Sequence, residues 1–171
     1  VIGAIGDLIK SGTCNDKHAF GRDLFPVIEN ILTILVKDLK GECVYGGMDY
    51  STHSLNSVSG RVLHALVNYS LRKARLKYGD KRGGIKWGKE MKSLYELILN
   101  KDKGIIDGYI LQGMYFRQFC YLDESWILKK VKNFYYMDHG YFNQSKRVFE
   151  NNKTKIFNLD GYFRIAYNNY W

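Results

Sequence analysis

The sequence predicts an all-α fold, a stacked helical array of about seven or eight helices in the manner of a HEAT-like α-α superhelix. Three observations carry this. Apolar residues recur at helical spacing with no run of strict apolar/polar alternation. Only one proline, Pro26, interrupts 171 residues. The 46% hydrophobic and 15% aromatic content supplies enough side chains to cover helices on more than one face.

The elements follow in order. Val1 to Ile9 is an apolar helical phrase. Asp23 is placed to cap a helix from Leu24, with Pro26 tolerated in its first turn. Ile28, Ile31, Leu32, Leu35 and Leu39 form its inner face, Ile34 and Val36 add apolar surface elsewhere, and Gly41 is the stop signal. Residues 41–54, rich in glycine and small polar side chains, read as a loop. Asn56 or Ser57 caps the next helix. Val62, Ala65, Leu66 and Tyr69 line one of its faces; Leu63, Val67, Ser70 and Ala74 line another. A helix apolar on two faces lies between neighbours.

After a glycine-containing loop at 79–84, Trp87, Met91, Leu94, Tyr95 and Ile98 mark an amphipathic helix. Asp107 opens a further one through Leu122. Asp123 and Glu124 suit the start of the next, and Lys129, Lys130 and Lys132 near its end agree with the helix dipole. Its inner face is Ile127, Val131, Phe134 and Tyr135. Two more helices are expected around 141–151 and 155–170.

The whole reads as one module, residues 1–171. It opens without methionine on an apolar phrase and closes on another, Phe163 to Trp171, which predicts a section of a longer protein. No apolar run reaches the roughly 20 residues that span a bilayer, so no membrane partner is expected. Cys14, Cys43 and Cys120 form no CxxC pair and no even framework, and they read as free thiols of a cytoplasmic protein.

The net charge of +9 is local. Residues 72–92 hold nine basic side chains against two acidic ones, whereas the first fifty residues hold five against seven. Arg72, Lys73, Arg75, Lys77, Lys81, Arg82 and Lys86, interleaved with Tyr78 and Trp87, are a candidate nucleic-acid patch: cations hold phosphates and aromatic rings stack bases. The competing explanation is a solvated helix face.

Other motifs carry less. Gly83 to Lys89 matches GxxxxGK, but Glu90 stands where a magnesium-binding Ser or Thr belongs, and no apolar strand precedes it. The match reads as accidental. Cys14 and His18, with Cys43 and His53, lack the tight ligand pairs of zinc sites. His64 sits in an apolar helix and reads as a hydrogen-bonded core histidine, and His139 falls in a turn. No nucleophile–base motif is present. Neither a catalytic residue, a metal nor a cofactor is implied. Residues 115–142 hold ten aromatics; most have core spacing, while Tyr136, Tyr141 and Phe142 near a helix end are candidate partner contacts.

Two phrases bear on function. Leu55-Asn56-Ser57-Val58-Ser59-Gly60-Arg61 continues as Val62-Leu63-His64-Ala65-Leu66-Val67-Asn68-Tyr69-Ser70-Leu71. Gly113-Met114-Tyr115-Phe116 is followed by Tyr121-Leu122-Asp123-Glu124-Ser125-Trp126. In this order they resemble the helical C-terminal regions of large bacterial anti-phage defence proteins, across roughly residues 50–140. There a STAND-type P-loop NTPase or a sirtuin-like effector is fused to an α-helical array. The resemblance implies a non-enzymatic recognition or scaffold module. Its partner would be a protein, such as a phage component or other domains of the same chain, and any effector chemistry would lie outside these residues. A basic helical nucleic-acid-binding domain is the alternative. The phrases also have local duties: a helix cap at Asn56 or Ser57, room for a neighbouring helix at Gly60, and a cap at Asp123 for the helix carrying Trp126.

Overall fold

A computed structural model describes residues 1–41, 50–81, 83–100 and 105–136, without the side chains of Tyr50 and of residues 131–136. Among them are seven α-helices, one short 3-10 turn and no strand. The helices are α1 (Ile2–Ser11), α2 (Phe25–Asp38), α3 (Tyr50–Asn56), α4 (Val58–Tyr78), α5 (Lys89–Ile98), α6 (Asp107–Met114) and α7 (Phe116–Tyr136). The all-α class is as the sequence predicts. The expected helices around 141–151 and 155–170 lie outside the described residues. No helix among those described is long and apolar enough to cross a membrane.

The described helices are arranged around α4, which meets all six others. Its two apolar faces explain this. Val62, Leu63, Ala65, Leu66, Val67 and Tyr69 are fully buried, and the helix is covered on several sides at once. Ser57 is its N-cap, the side-chain oxygen accepting from Gly60 N at 3.0 Å. Gly79, at φ +58°, ends it in a conformation that side chains other than glycine rarely adopt.

Small residues let the neighbours approach. Gly3 and Gly6 turn the face of α1 toward α4, and a Cβ at Gly6 would lie 3.0 Å from the Arg61 backbone carbonyl. Asp7 and Arg61 form an ion pair across the same crossing. At Gly60 the contact is closer still: a Cβ would lie 1.9 Å from the Ser54 carbonyl oxygen of α3.

Four boundaries differ from the sequence reading. Asp23 does not cap α2. It falls in the 3-10 turn Arg22–Leu24, which runs straight into the helix, and no side chain caps that end. Pro26 does occupy the first turn. The chain leaves α2 after Asp38 rather than at Gly41, because Leu39 turns extended with its side chain buried. Part of the expected 41–54 loop is helix α3, whose His53 and Ser54 are buried despite their polarity. Finally, the helix expected from Asp107 to Leu122 breaks at Tyr115 (φ −110°, ψ 25°), where the phenol turns toward α4.

Asp123 behaves as the sequence implies. Its backbone is extended within α7 (φ −166°, ψ 91°), and Oδ1 accepts from Trp126 N at 3.0 Å. The cap directs Trp126 into an aromatic cluster with Trp87, Tyr95 and Phe119, the Trp87 and Trp126 ring centroids 4.9 Å apart and edge to face. Trp126 Nε1 donates to Glu96 Oε1 at 2.7 Å, so its polar end is paired.

Two stability predictions follow from this packing. Alanine normally gains about 1 kcal/mol over glycine within a helix. At Gly60 the clash with a backbone carbonyl outweighs that gain, so Gly60→Ala should destabilise by about 1–3 kcal/mol in urea titration. A variant at least as stable as the parent would show that α3 does not press on α4. Trp126→Ala removes the centre of the aromatic cluster and should cost about 3–5 kcal/mol; an unchanged melting temperature would contradict its burial.

Candidate functional site

The α4–α6 contact holds a polar seam that sequence reasoning did not assemble. Asp107, at the start of α6, is fully buried. Ser57 Oγ donates to its Oδ1 at 3.0 Å, and Ser59 Oγ donates to Oδ2. His53 Nε2 lies 3.8 Å from Oδ2, and Ser54 is buried beside it in sequence. Three helices thus converge on one carboxylate. Ser57 was legible as a cap, but nothing in its spacing pointed fifty residues ahead to Asp107.

Serine, histidine and aspartate together invite a catalytic reading, and the geometry sets its terms. Nucleophilic activation needs a hydroxyl bonded to an imidazole that a carboxylate orients. Here both hydroxyls donate to the carboxylate itself. His53 Nε2 has no hydrogen-bond partner among the described residues. All these side chains are at most 5% exposed, so the seam ties α3, α4 and α6 together as an internal clamp.

Farther along the same contact, His64 is buried as the sequence predicts. Asn68 Nδ2 donates to the Tyr115 hydroxyl at 3.3 Å, leaving that hydroxyl its own proton for His64 Nδ1, 2.8 Å away. Burial, and then the charge of Lys10 on α1, lower the His64 pKa from 6.5 to about 4. The imidazole is therefore neutral at pH 7. Burial likewise pushes the Cys120 thiol up to about 11, which removes its thiolate at neutral pH. Cys14 and His18 are exposed and His53 is buried, while Cys43 is outside the described residues. Among the described residues no three His, Cys, Asp or Glu side chains are grouped to hold a metal.

The basic stretch divides. Arg72 is buried and donates to the Asn15 and Phe20 carbonyls and, at 2.6 Å, to Asp16, holding down the segment after α1. Lys73 pairs with Glu29 of α2. Lys86 is only 7% exposed; its Nζ donates to the carbonyls of Gly83 (2.7 Å) and Tyr121 (3.1 Å) over the Tyr121 ring. Lys77 and Lys81 are exposed, Lys77 against the Tyr78 ring, and Arg75 is half-buried. Arg82 lies outside the described residues. Of the six described candidates, Arg72 and Lys86 are thus committed inside the molecule and Lys73 to a partly exposed ion pair. Of the aromatic candidates, Tyr136 is the last residue of α7, and Tyr141 and Phe142 lie outside the described residues.

The GxxxxGK phrase begins in an anchored loop, and no strand precedes it among the described residues. Lys86 N and Trp87 N both donate to the Leu122 carbonyl, at 2.8 and 3.2 Å. Tyr121 Oη donates to the Gly79 carbonyl at 2.6 Å, and Trp87 is buried. Gly83 and Gly84, at φ +71° and +76°, turn the chain. Between these anchors Ile85 is 67% exposed, while the lysine beside it is buried.

Compared with known proteins, this chain matches no family model, no curated protein and no solved structure.

The His64 shift gives stability a pH dependence. In the unfolded chain the imidazole titrates near 6.5, and in the folded one near 4. Between these values the unfolded state binds the extra proton. The contribution is therefore intact above pH 6.5 and lost as pH falls toward 4, by about 3 kcal/mol in all. His64→Gln should flatten the urea midpoint across that window relative to the parent, and equal slopes for both proteins would refute the shift.

Proposed function

We propose that this chain is a non-enzymatic protein-recognition or scaffold module of a bacterial anti-phage defence protein. The observation that carries the recognition role is the inversion at Ile85 and Lys86. Burying an isoleucine is worth about 1.5–3 kcal/mol, and burying a lysine ammonium is unfavourable unless it is well paired. The loop nevertheless hides the lysine and presents the isoleucine. An apolar tip beside a backbone held by hydrogen bonds is the arrangement of a contact residue that enters a pocket on a partner, because less ordering remains to be done on binding.

The defence context rests on the resemblance of residues 55–71 and 113–126, and on the structural duties those phrases perform. Ser57 and Gly60 seat α3 and α6 on α4, and Asp123 seats Trp126. A phage component or another domain of the same polypeptide is the kind of partner such a module takes, and a cytoplasmic location accompanies this reading. Stacking into a HEAT-like array with further helices belongs to it as well.

Ile85→Asp tests the proposal. The side chain is exposed, so the melting temperature should hold, while co-precipitation of a phage protein from infected cells should fall at least tenfold. Retained capture would reject Ile85 as the contact. Binding instead to a mixed-sequence duplex, weakening with salt at a log–log slope near −0.9 per phosphate neutralised, would favour the nucleic-acid alternative. It should then be lost when Arg75, Lys77 and Lys81 become glutamine.

A further inference from the structure

The loop between α4 and α5 has one interior slot and two adjacent side chains that could fill it. Lys86 is buried and Ile85 is exposed. An ammonium has three N–H donors. Lys86 Nζ directs two of them to the carbonyls of Gly83 and Tyr121, at 2.7 and 3.1 Å, and stands 4.7 Å from the centroid of the Tyr121 ring. The turn at Gly83 and Gly84, both at positive φ, returns the first of these carbonyls to the lysine three residues on. The second belongs to α7, whose Tyr121 is itself held by its hydroxyl bond to the Gly79 carbonyl. The backbone of the loop is tied to the same helix, Lys86 N and Trp87 N sharing the Leu122 carbonyl.

We propose, building on the reading of Ile85 as a partner contact, that Lys86 is the positioning residue of this tip: by filling the slot it keeps Ile85 out of it, and without it Ile85 turns inward. Apolar burial favours the isoleucine for any interior place. A lysine can hold that place only where its ammonium is met by oriented dipoles, and here two carbonyls and an aromatic face meet it. The competition between the two side chains therefore turns on the donors of Nζ. A short side chain at position 86 leaves the slot open to Ile85. A carboxylate there is repelled by the same two carbonyl oxygens and has to leave. Arginine brings N–H donors of its own and can take the place of lysine. The exposure of Ile85 is in this way set by its neighbour, and the contact can be silenced without touching the residue that makes it.

A soluble gadolinium chelate reads the outcome directly, because it broadens the NMR signal of the Ile85 δ1-methyl in the full chain according to its exposure. The broadening should fall severalfold in Lys86→Ser and in Lys86→Glu, and it should stay near the parent value in Lys86→Arg. Circular dichroism confirms that each variant folds, and Lys86→Ser is the milder change should Lys86→Glu unfold. Co-precipitation of a phage protein from infected cells should drop in Lys86→Ser and return in Lys86→Arg. An Ile85 methyl as exposed in folded Lys86→Ser as in the parent would overturn the proposal. So would a retracted methyl with undiminished capture, where Ile85→Asp does abolish capture. If Ile85→Asp leaves capture unchanged, the contact reading of Ile85 fails instead, and the methyl signal alone decides whether Lys86 sets the tip.

Discussion

The structure depends on one constraint: α4 is covered from several sides, so its surroundings must come close without leaving polar groups stranded. A helix diameter with side chains is about 10 Å, and six neighbours cannot all be held at that distance by large residues. Glycine solves the problem where α1 and α3 approach. Gly6 brings α1 against the Arg61 backbone, Gly3 makes room for the Arg61 side chain, and Gly60 admits the Ser54 carbonyl. These glycines lie within the first turns of their helices, where glycine is intrinsically unfavourable relative to alanine by up to about 1 kcal/mol. Their value lies in the contact, not in the helix that carries them.

The second half of the constraint is polar. Most hydrogen-bonding groups that come with α4 into the interior, though not His64 Nε2 or Arg72 Nε, are met by partners from other elements: Ser57 and Ser59 by Asp107, His64 Nδ1 and Asn68 by Tyr115, Arg72 by the backbone after α1, Ser70 by the Trp87 indole. Unpaired, each would penalise the fold by about 1–3 kcal/mol. Paired, they select which helix may lie where, because apolar packing alone would tolerate sliding. Lys86 does the same for α5 and α7. By donating to Gly83 and Tyr121 it fixes the loop on the Asp123 kink, and the exposed position of Ile85 follows from that fixation.

Legibility in the sequence tracked the range of the interaction. Local features were readable: the Ser57 cap, the Asp123 cap with Trp126 behind it, the amphipathic α5 and the buried His64. Each is decided within one helical turn or by hydrophobic period. The boundary at Tyr115 was not, since its cause is a hydroxyl bond to residues some fifty positions earlier. Helix α3 was hidden for a similar reason. Its His53 and Ser54 look like loop residues until Asp107 supplies the site they border. The basic stretch was legible only in part. Charge density along the chain resembles a surface patch, but Arg72 and Lys86 point inward to carbonyls that the sequence gives no means of locating.

That inward commitment changes what the exposed surface can mean. A cation paired with a carboxylate of the same molecule, as Arg72 is with Asp16 and Lys73 with Glu29, contributes little to an external field, because its charge is met at short range. Among the described basic residues of 72–92, Lys77, Lys81 and Lys89 are exposed and Lys73, Arg75 and Lys92 are half-buried. What stands out on the remaining surface is apolar, at the Ile85 tip and along α2. Single exposed apolar residues are ordinary, but Ile85 stands on an anchored loop and Val27 and Ile34 align on a helix already filled on its other face. Association through shape and apolar contact is the mode that accords with the function proposed above.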